Sequence, residues 1–293
     1  MASRSVHGAL ALLVLGNMIA MFSDVVIKMM GSDIPLFQFV FMRLLCGVIL
    51  LTPCLLFLDR GAFRHGLPLH VVRAHIGIVA VVCMVLALQT LPLATANAVF
   101  YTAPILIMVL AVIFYGERVT PLSLLAVFSG FAGILVALRP IDLNWQSLTA
   151  LGTSAALAMN VLLVRKLPPQ QTSLHTMILT QTFALPATLA LMLWEGAPWD
   201  WSLMVYALGS SVFIMCYNIC ILISYRYVDA NRVTSAEYTG IVWAVLLGWW
   251  WFGEVPDLWF FAGATLICGP LLLLGLRERH RARLRSVATH AEG

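Results

Sequence analysis

Ten membrane-crossing helices in two inverted five-helix repeats, an all-α polytopic membrane protein, is the fold class that the sequence predicts. Three observations predict it. First, the chain of 293 residues is 61% hydrophobic and only 10% charged, whereas a water-soluble domain carries roughly 25% charged residues. Second, one stretch occurs twice. Tyr101-Thr102-Ala103-Pro104 opens an apolar run that closes at Gly116-Glu117, and Tyr238-Thr239-Gly240-Ile241 opens another that closes at Gly253-Glu254. The offset is 137 residues at both ends, close to half the chain. Third, lysine and arginine fall on alternate loops, as the positive-inside rule requires of a polytopic chain.

The apolar runs, in order, are 7–30, 36–58, 71–90, 93–115, 120–138, 146–166, 172–193, 202–227, 232–252 and 258–276. Each is about as long as a bilayer-crossing helix. The first resembles a signal peptide in position only: it carries Asn17 and Asp24, runs long and lacks a small-residue cleavage site, so it reads as retained. Pro35, Pro92, Pro121, Pro140 and the Pro168-Pro169 pair fall at boundaries, where a helix starts or stops cheaply. Pro53, Pro104, Pro186 and Pro270 fall inside runs, where neighbours must satisfy the carbonyls they free. The repeat divides the chain into 1–140, 141–276 and a basic tail over 277–293. A half-length repeat of membrane helices marks a carrier built from two related halves.

With the N-terminus inside, 14 of the 17 basic residues fall on the inner side, from Arg4, Arg60, Arg64 and Arg73 to the tail arginines. The outer side holds Lys28 and Arg139, and Arg43 lies within a span. Both termini are therefore expected in the cytoplasm of a cell with a bacterial-type inner membrane. Five spans per repeat is an odd number, so the halves are inverted. The tail suits an orientation signal drawn to acidic lipid, so the bilayer is the expected partner and nucleic acid is not. The six cysteines all lie in apolar segments and suggest neither a disulfide framework nor a zinc spacing.

These motifs resemble the drug/metabolite transporter superfamily, in its ten-helix EamA type. The resemblance rests on the lysine ending the first helix of each half (Lys28, Lys166) and on Arg43 in span 2. It rests also on Gly116-Glu117-Arg118 and its partner Gly253-Glu254-Val255-Pro256. Asp24-Val25-Val26-Ile27-Lys28 and Tyr227-Val228-Asp229-Ala230 look most like the branch of S-adenosylmethionine uptake and organic-anion carriers. The resemblance implies a central cavity lined by spans 1, 3, 4, 6, 8 and 9. One departure is that Gln181 stands in span 7 where Arg43 stands in span 2.

Ionisable groups inside spans are expensive and mark function or fixed pairs. Asp24 and Arg43 lie at matching depth and are expected to pair, with Lys28 sharing Asp24 from one helical turn away. They form either a gate or a fixed ion pair. Glu237 in span 9 has no cation at helical spacing on its own span, so it is the candidate charge-reading residue. Tyr238, Tyr101 and Asn97 share its stripe or the matching stripe of span 4. Asn160, Tyr217, Asn218 and Asn17 come from spans 6, 8 and 1, and Trp243 lies deeper in span 9. For each asparagine or tyrosine an interhelical hydrogen bond competes with a binding role. Trp249-Trp250-Trp251, Trp194, Trp199, Trp201 and Trp259 read as an interfacial belt.

No Walker loop, G-x-S-x-G, H-E-x-x-H or histidine cluster at metal spacing is present. The expectation is thus no enzyme, no catalytic residue, no metal and no cofactor. A carrier without an ATP site is secondary, driven by a coupling proton or a counter-substrate. Its partner is a small polar metabolite: an amine, sulfonium or zwitterion if Glu237 reads its charge. An organic anion, held by Arg43 or Lys28, fits if Glu237 is the proton site. Oligomeric state, monomer or dimer, stays open.

Overall fold

The structure, a computed structural model, describes residues 2–116, 121–138, 145–224, 239–270 and 272–273. The described regular elements are all helical. They are α1 (Ala2–Met29), α2 (Leu36–Leu51), α3 (Leu67–Thr90), α4 (Leu93–Phe100), α5 (Ala103–Tyr115), α6 (Pro121–Leu138), α7 (Trp145–Val164), α8 (Ser173–Glu195) and α9 (Ser202–Ser224). Two more follow, α10 (Thr239–Phe252) and α11 (Leu258–Pro270). Since α4 and α5 make one span, over Leu93–Tyr115, these are the helices of a ten-span protein.

Local chemistry sets the breaks. Span 4 is discontinuous because Pro104, in the first turn of α5, has no N–H to continue the ladder from α4. Thr102 caps the break by donating its hydroxyl to the Val99 carbonyl at 2.7 Å. Pro53 acts more strongly than an internal kink: α2 stops at Leu51 and the chain continues as a 3-10 turn over Thr52–Phe57. The glycines of the repeated Gly-Glu motif have one conformational reason. Gly116 and Gly253 end α5 and α10 at φ +63° and +65°, a left-handed conformation that costs a side chain energy and glycine nothing. Helix α3 starts at Leu67, a turn before the expected 71, because Gly66 and Pro68 start it cheaply. Arg73 consequently lies in the second turn of α3, deeper than the expected start at 71 would put it.

Packing follows the repeat. Exchanging the halves maps α1, α2 and α3 onto α7, α8 and α9, the α4–α5 span onto α10, and α6 onto α11. Under that exchange α1 on α9 becomes α7 on α3, and these are two of the most extensive packings in the molecule. Likewise α2 on α9 becomes α8 on α3, while α2 on α8 and α4 on α10 map onto themselves. At the α6–α11 contact the Ser129 hydroxyl donates to the Leu266 carbonyl at 2.7 Å, 137 residues away. The largest apolar core gathers Phe39, Met42, Val85, Leu88, Ala244 and Leu247 with residues of α1. Most of its buried members come from the first half, and Leu203, Ala207, Ala244 and Leu247 of the second half pack onto them. Exposed Phe128, Val205, Leu246 and Trp250 cover the outside, where lipid tails take the place of a buried core.

Candidate functional site

One end of the bundle is tied across the halves by carboxylates. Helices α2 and α4 both begin after proline, Pro35 and Pro92, which carries no capping oxygen for the first free amides. Carboxylates of the second half supply it. Glu195 at the end of α8 accepts from the Phe37 and Gln38 amides at 3.1 and 3.0 Å. Glu254 after α10 accepts from the Leu93 amide at 2.7 Å. A carboxylate at a helix N-terminus also faces the positive end of the helix dipole. Glu254 further holds Lys28 in an ion pair of 2.9 Å. The Lys28 ammonium also donates to the carbonyls of Leu88 and Leu91, at 3.1 and 2.6 Å, and lies over the Phe252 ring. Gln38 reaches the Pro198 carbonyl and the Asp200 amide. Exposed Trp194, Trp199, Trp201, Trp249, Trp250, Trp251 and Trp259 lie on segments at this end. An outward, exposed ring of this kind suits an interface belt rather than a cage.

Asp24 and Arg43 make no direct ion pair within 4.0 Å among the described residues; their charges attract each other across a polar seam. Asn97 donates to Asp24 Oδ2 at 3.1 Å and to the Leu93 carbonyl at 3.1 Å. Next to Asp24, the Ser23 and Ser210 hydroxyls share a hydrogen bond of 2.7 Å, and Arg43 Nε donates to Ser210 at 2.9 Å. Lys28 does not share Asp24 either; Glu254 takes it. The reason is that helical spacing sees neighbours within one span, while both partners come from the other half or another span. Asn17 donates to the Thr239 hydroxyl at 3.3 Å, and both Asn17 and Asn97 are buried. The Tyr101 hydroxyl sits directly against Gly240, where no Cβ could fit. Tyr217 and Trp243 pack on the main core. Glu237 and Tyr238 lie outside the described residues, as does Glu117.

A cavity of about 320 Å³, mostly apolar with a few polar groups on its wall, lies between α2, α3, α7, α8 and α9. Its wall carries Arg43, Arg73, Asn160, Gln181, Ser211 and Asn218 among apolar residues. Arg43 and Gln181, the matching positions of the two repeats, thus meet at one cavity. Asn160 donates to the Arg73 carbonyl at 3.4 Å, and Ser211 to the Arg43 carbonyl at 2.9 Å. The described wall of this cavity comes from spans 2, 3, 6, 7 and 8; the start of span 9, where the expected lining has Glu237 and Tyr238, lies outside the described residues. Spans 1, 4 and the described part of span 9 meet through the Asp24–Asn97 and Asn17–Thr239 hydrogen bonds. A second cavity, of about 480 Å³, shares Arg73, Met177 and Asn218 and is lined by the 167–173 loop. The two together run from mid-helix to the end opposite Lys28–Glu254. At that end Gln171 donates to the Ala62 and His65 carbonyls and bonds His70. Arg73 and Ser211 line the cavity without being among the sequence-based candidates, and Gln181 enters the sequence reading only as the counterpart of Arg43. Arg73 was hidden by its closeness to a loop, although a cation seven residues into an apolar helix was a signal.

The family description "EamA-like transporter family" matches residues 7–139 and again 144–276, nearly the whole chain. The chain belongs to the EamA-like transporter family. Curated relatives are transporters of different solutes. An S-adenosylmethionine uptake transporter of Rickettsia bellii is 22% identical over 88% of this chain and 89% of its own. A pseudopaline exporter, CntI, of Pseudomonas aeruginosa is 25% identical over 83% and 87%. A riboflavin transporter of Brucella anthropi is 25% identical over 86% and 92%. A solved crystal structure of a protein 21% identical aligns with a TM-score of 0.57 over 92% of this chain and 98% of that one, a likeness of fold. As an EamA-like transporter the chain is an integral membrane protein that moves small metabolites, and its two matched segments are the two five-helix repeats.

Proposed function

We propose that this EamA-like protein is a secondary active carrier that moves a small polar metabolite across the bacterial inner membrane by alternating access. The observation that carries the reading is the cavity between the halves, extended toward one end and separated from the other by cross-half carboxylate contacts. By the loop charges, the tied end is outside and the 167–173 loop is cytoplasmic. Under exchange of the halves, Lys28 and Glu254 correspond to Lys166 and Glu117. The opposite state of the carrier is closed by that second pair, so one ion-pair motif serves both gates.

The solute carries a positive centre, as an amine, sulfonium or zwitterion, and Glu237 reads that charge, because a carboxylate within a span needs a cation or a proton. Tyr101 and Tyr238 cover its apolar part. The Rickettsia bellii relative is an S-adenosylmethionine uptake transporter, and a sulfonium compound of that kind suits this class. The second reading, an organic-anion carrier with Glu237 as proton site, is favoured by Arg43 on the cavity wall. Lys28 is less suited to that role, since Glu254 already holds it.

Solute flux decides. Proteoliposomes of the purified chain, preloaded with a mixture of amines, sulfonium compounds, zwitterions and organic acids, should release at least one solute saturably and faster than protein-free vesicles. Release of every solute at the protein-free rate contradicts the carrier.

A further inference from the structure

We propose that Arg73 forms a carboxylate-binding subsite in the cavity, whose wall also carries Arg43. Arg73 lies in the second turn of α3 and is only 9% exposed. Its Nε and Nη1 are buried and have no hydrogen-bond partner among the described residues. A guanidinium keeps its charge under all ordinary conditions, and leaving its buried donors unpaired is unfavourable. Native interiors avoid that cost, so such a group marks where an anionic acceptor comes in.

The wall supports the same reading. Neither cavity has a carboxylate among its described lining residues, although both include Arg73. Arg43 is differently placed: its Nε is engaged by Ser210, in the seam that includes Asp24. Arg73 is therefore the cation of this wall with no acid set against it among the described residues. Gln181 Oε1 is buried and unpartnered there too, pressed against Gly47. That oxygen accepts from an N–H or O–H of the same ligand. Arg73 also stands where the two cavities meet, on the path a solute takes between mid-helix and the 167–173 loop. A cavity of about 320 Å³ is the right size for a small metabolite.

That the bound carboxylate belongs to the transported solute rests on the carrier reading above; the binding itself does not. The test uses the full chain in nanodiscs and arginine-specific modification by phenylglyoxal, followed residue by residue by peptide mass spectrometry. Succinate, pyruvate and glutamate are compared in turn with sodium chloride at equal ionic strength, and with uncharged succinamide. Arg73 should be modified several-fold more slowly with at least one carboxylate and not with succinamide, while loop residues Arg60 and Arg64 react alike in all. Equal Arg73 rates in every solution overturn the subsite. Thermal stabilisation by the protecting carboxylate should weaken in Arg73→Gln, with affinity lowered about tenfold, near 1.4 kcal/mol. Retention of wild-type affinity in that variant also overturns it. Should Arg73→Gln not fold, the wild-type protection experiment decides alone. Protection without solute flux leaves the subsite standing and removes the carrier reading; flux without protection does the reverse.

Discussion

Lys28 was legible in the sequence as a residue that matters, and its partner was not. A lysine ending an apolar helix must find a counter-charge or snorkel, and the nearest carboxylate by helical spacing is Asp24. The actual partner, Glu254, is distant in sequence and comes close only once α1 and α10 pack together. Asp24 and Asn97 behave alike: each was singled out, and their mutual hydrogen bond depends on α1 meeting α4. Arg73 was the costlier oversight, because counting loop cations treats a residue near a helix start as exposed. At this scale Glu237 has the sharpest test. Glu237→Gln keeps shape and removes charge, so it should abolish binding of a cationic solute, or abolish pH-dependent transport while exchange continues. Wild-type binding, transport and pH response in that variant would make Glu237 a structural residue. Lys28→Met should leave the half-buried Glu254 without its cation, at a cost of about 1–2 kcal/mol for a partly buried, hydrogen-bonded charge. A clear drop in melting temperature of the purified chain is the expected reading.

The elements were the most readable scale, since apolar length and proline position are local properties. Nine of the ten runs correspond closely to described helices, and the tenth, 232–252, is described from Thr239 onward. What could not be read was how α2 and α4 start. Pro35 and Pro92 announce a boundary but leave free amides, and the groups that satisfy them come from Glu195 and Glu254 of the other half. Helix α8 differs: the backbone amide of Thr172 bonds His175 in its own first turn. So the first half's helices depend on the second at the tied end, and the expectation is directional. Glu195→Ala should destabilise the protein by about 2 kcal/mol, the cost of two amides left unpaired in a half-buried site. Asp200→Ala, whose side chain bonds only the nearby Ser202 amide, should change the melting temperature little. Equal effects of the two would reject the capping account.

The whole molecule is governed by the 137-residue repeat, and that was legible because tyrosine, threonine, glycine and glutamate keep register in both halves. The packing obeys it in its most extensive contacts: α1 on α9 matches α7 on α3, and α2 on α9 matches α8 on α3. The position of the cavity was not legible, because a wall is made by faces of five helices and single-sequence patterns fix each face only relative to its own axis. Orientation is testable directly. Cysteines placed at 66 and 290 should react with membrane-permeant thiol reagents only, and reaction with an impermeant reagent from the outer side would reject cytoplasmic termini. The central claim is that closure at Lys28–Glu254 alternates with opening. On a background without the six native cysteines, cysteines at 28 and 254 are bridged by a bifunctional thiol reagent, and flux of the solute released fastest from proteoliposomes is followed. The account predicts that bridging stops flux and that cleaving the bridge restores it; flux unchanged by the bridge would contradict alternating access at this gate.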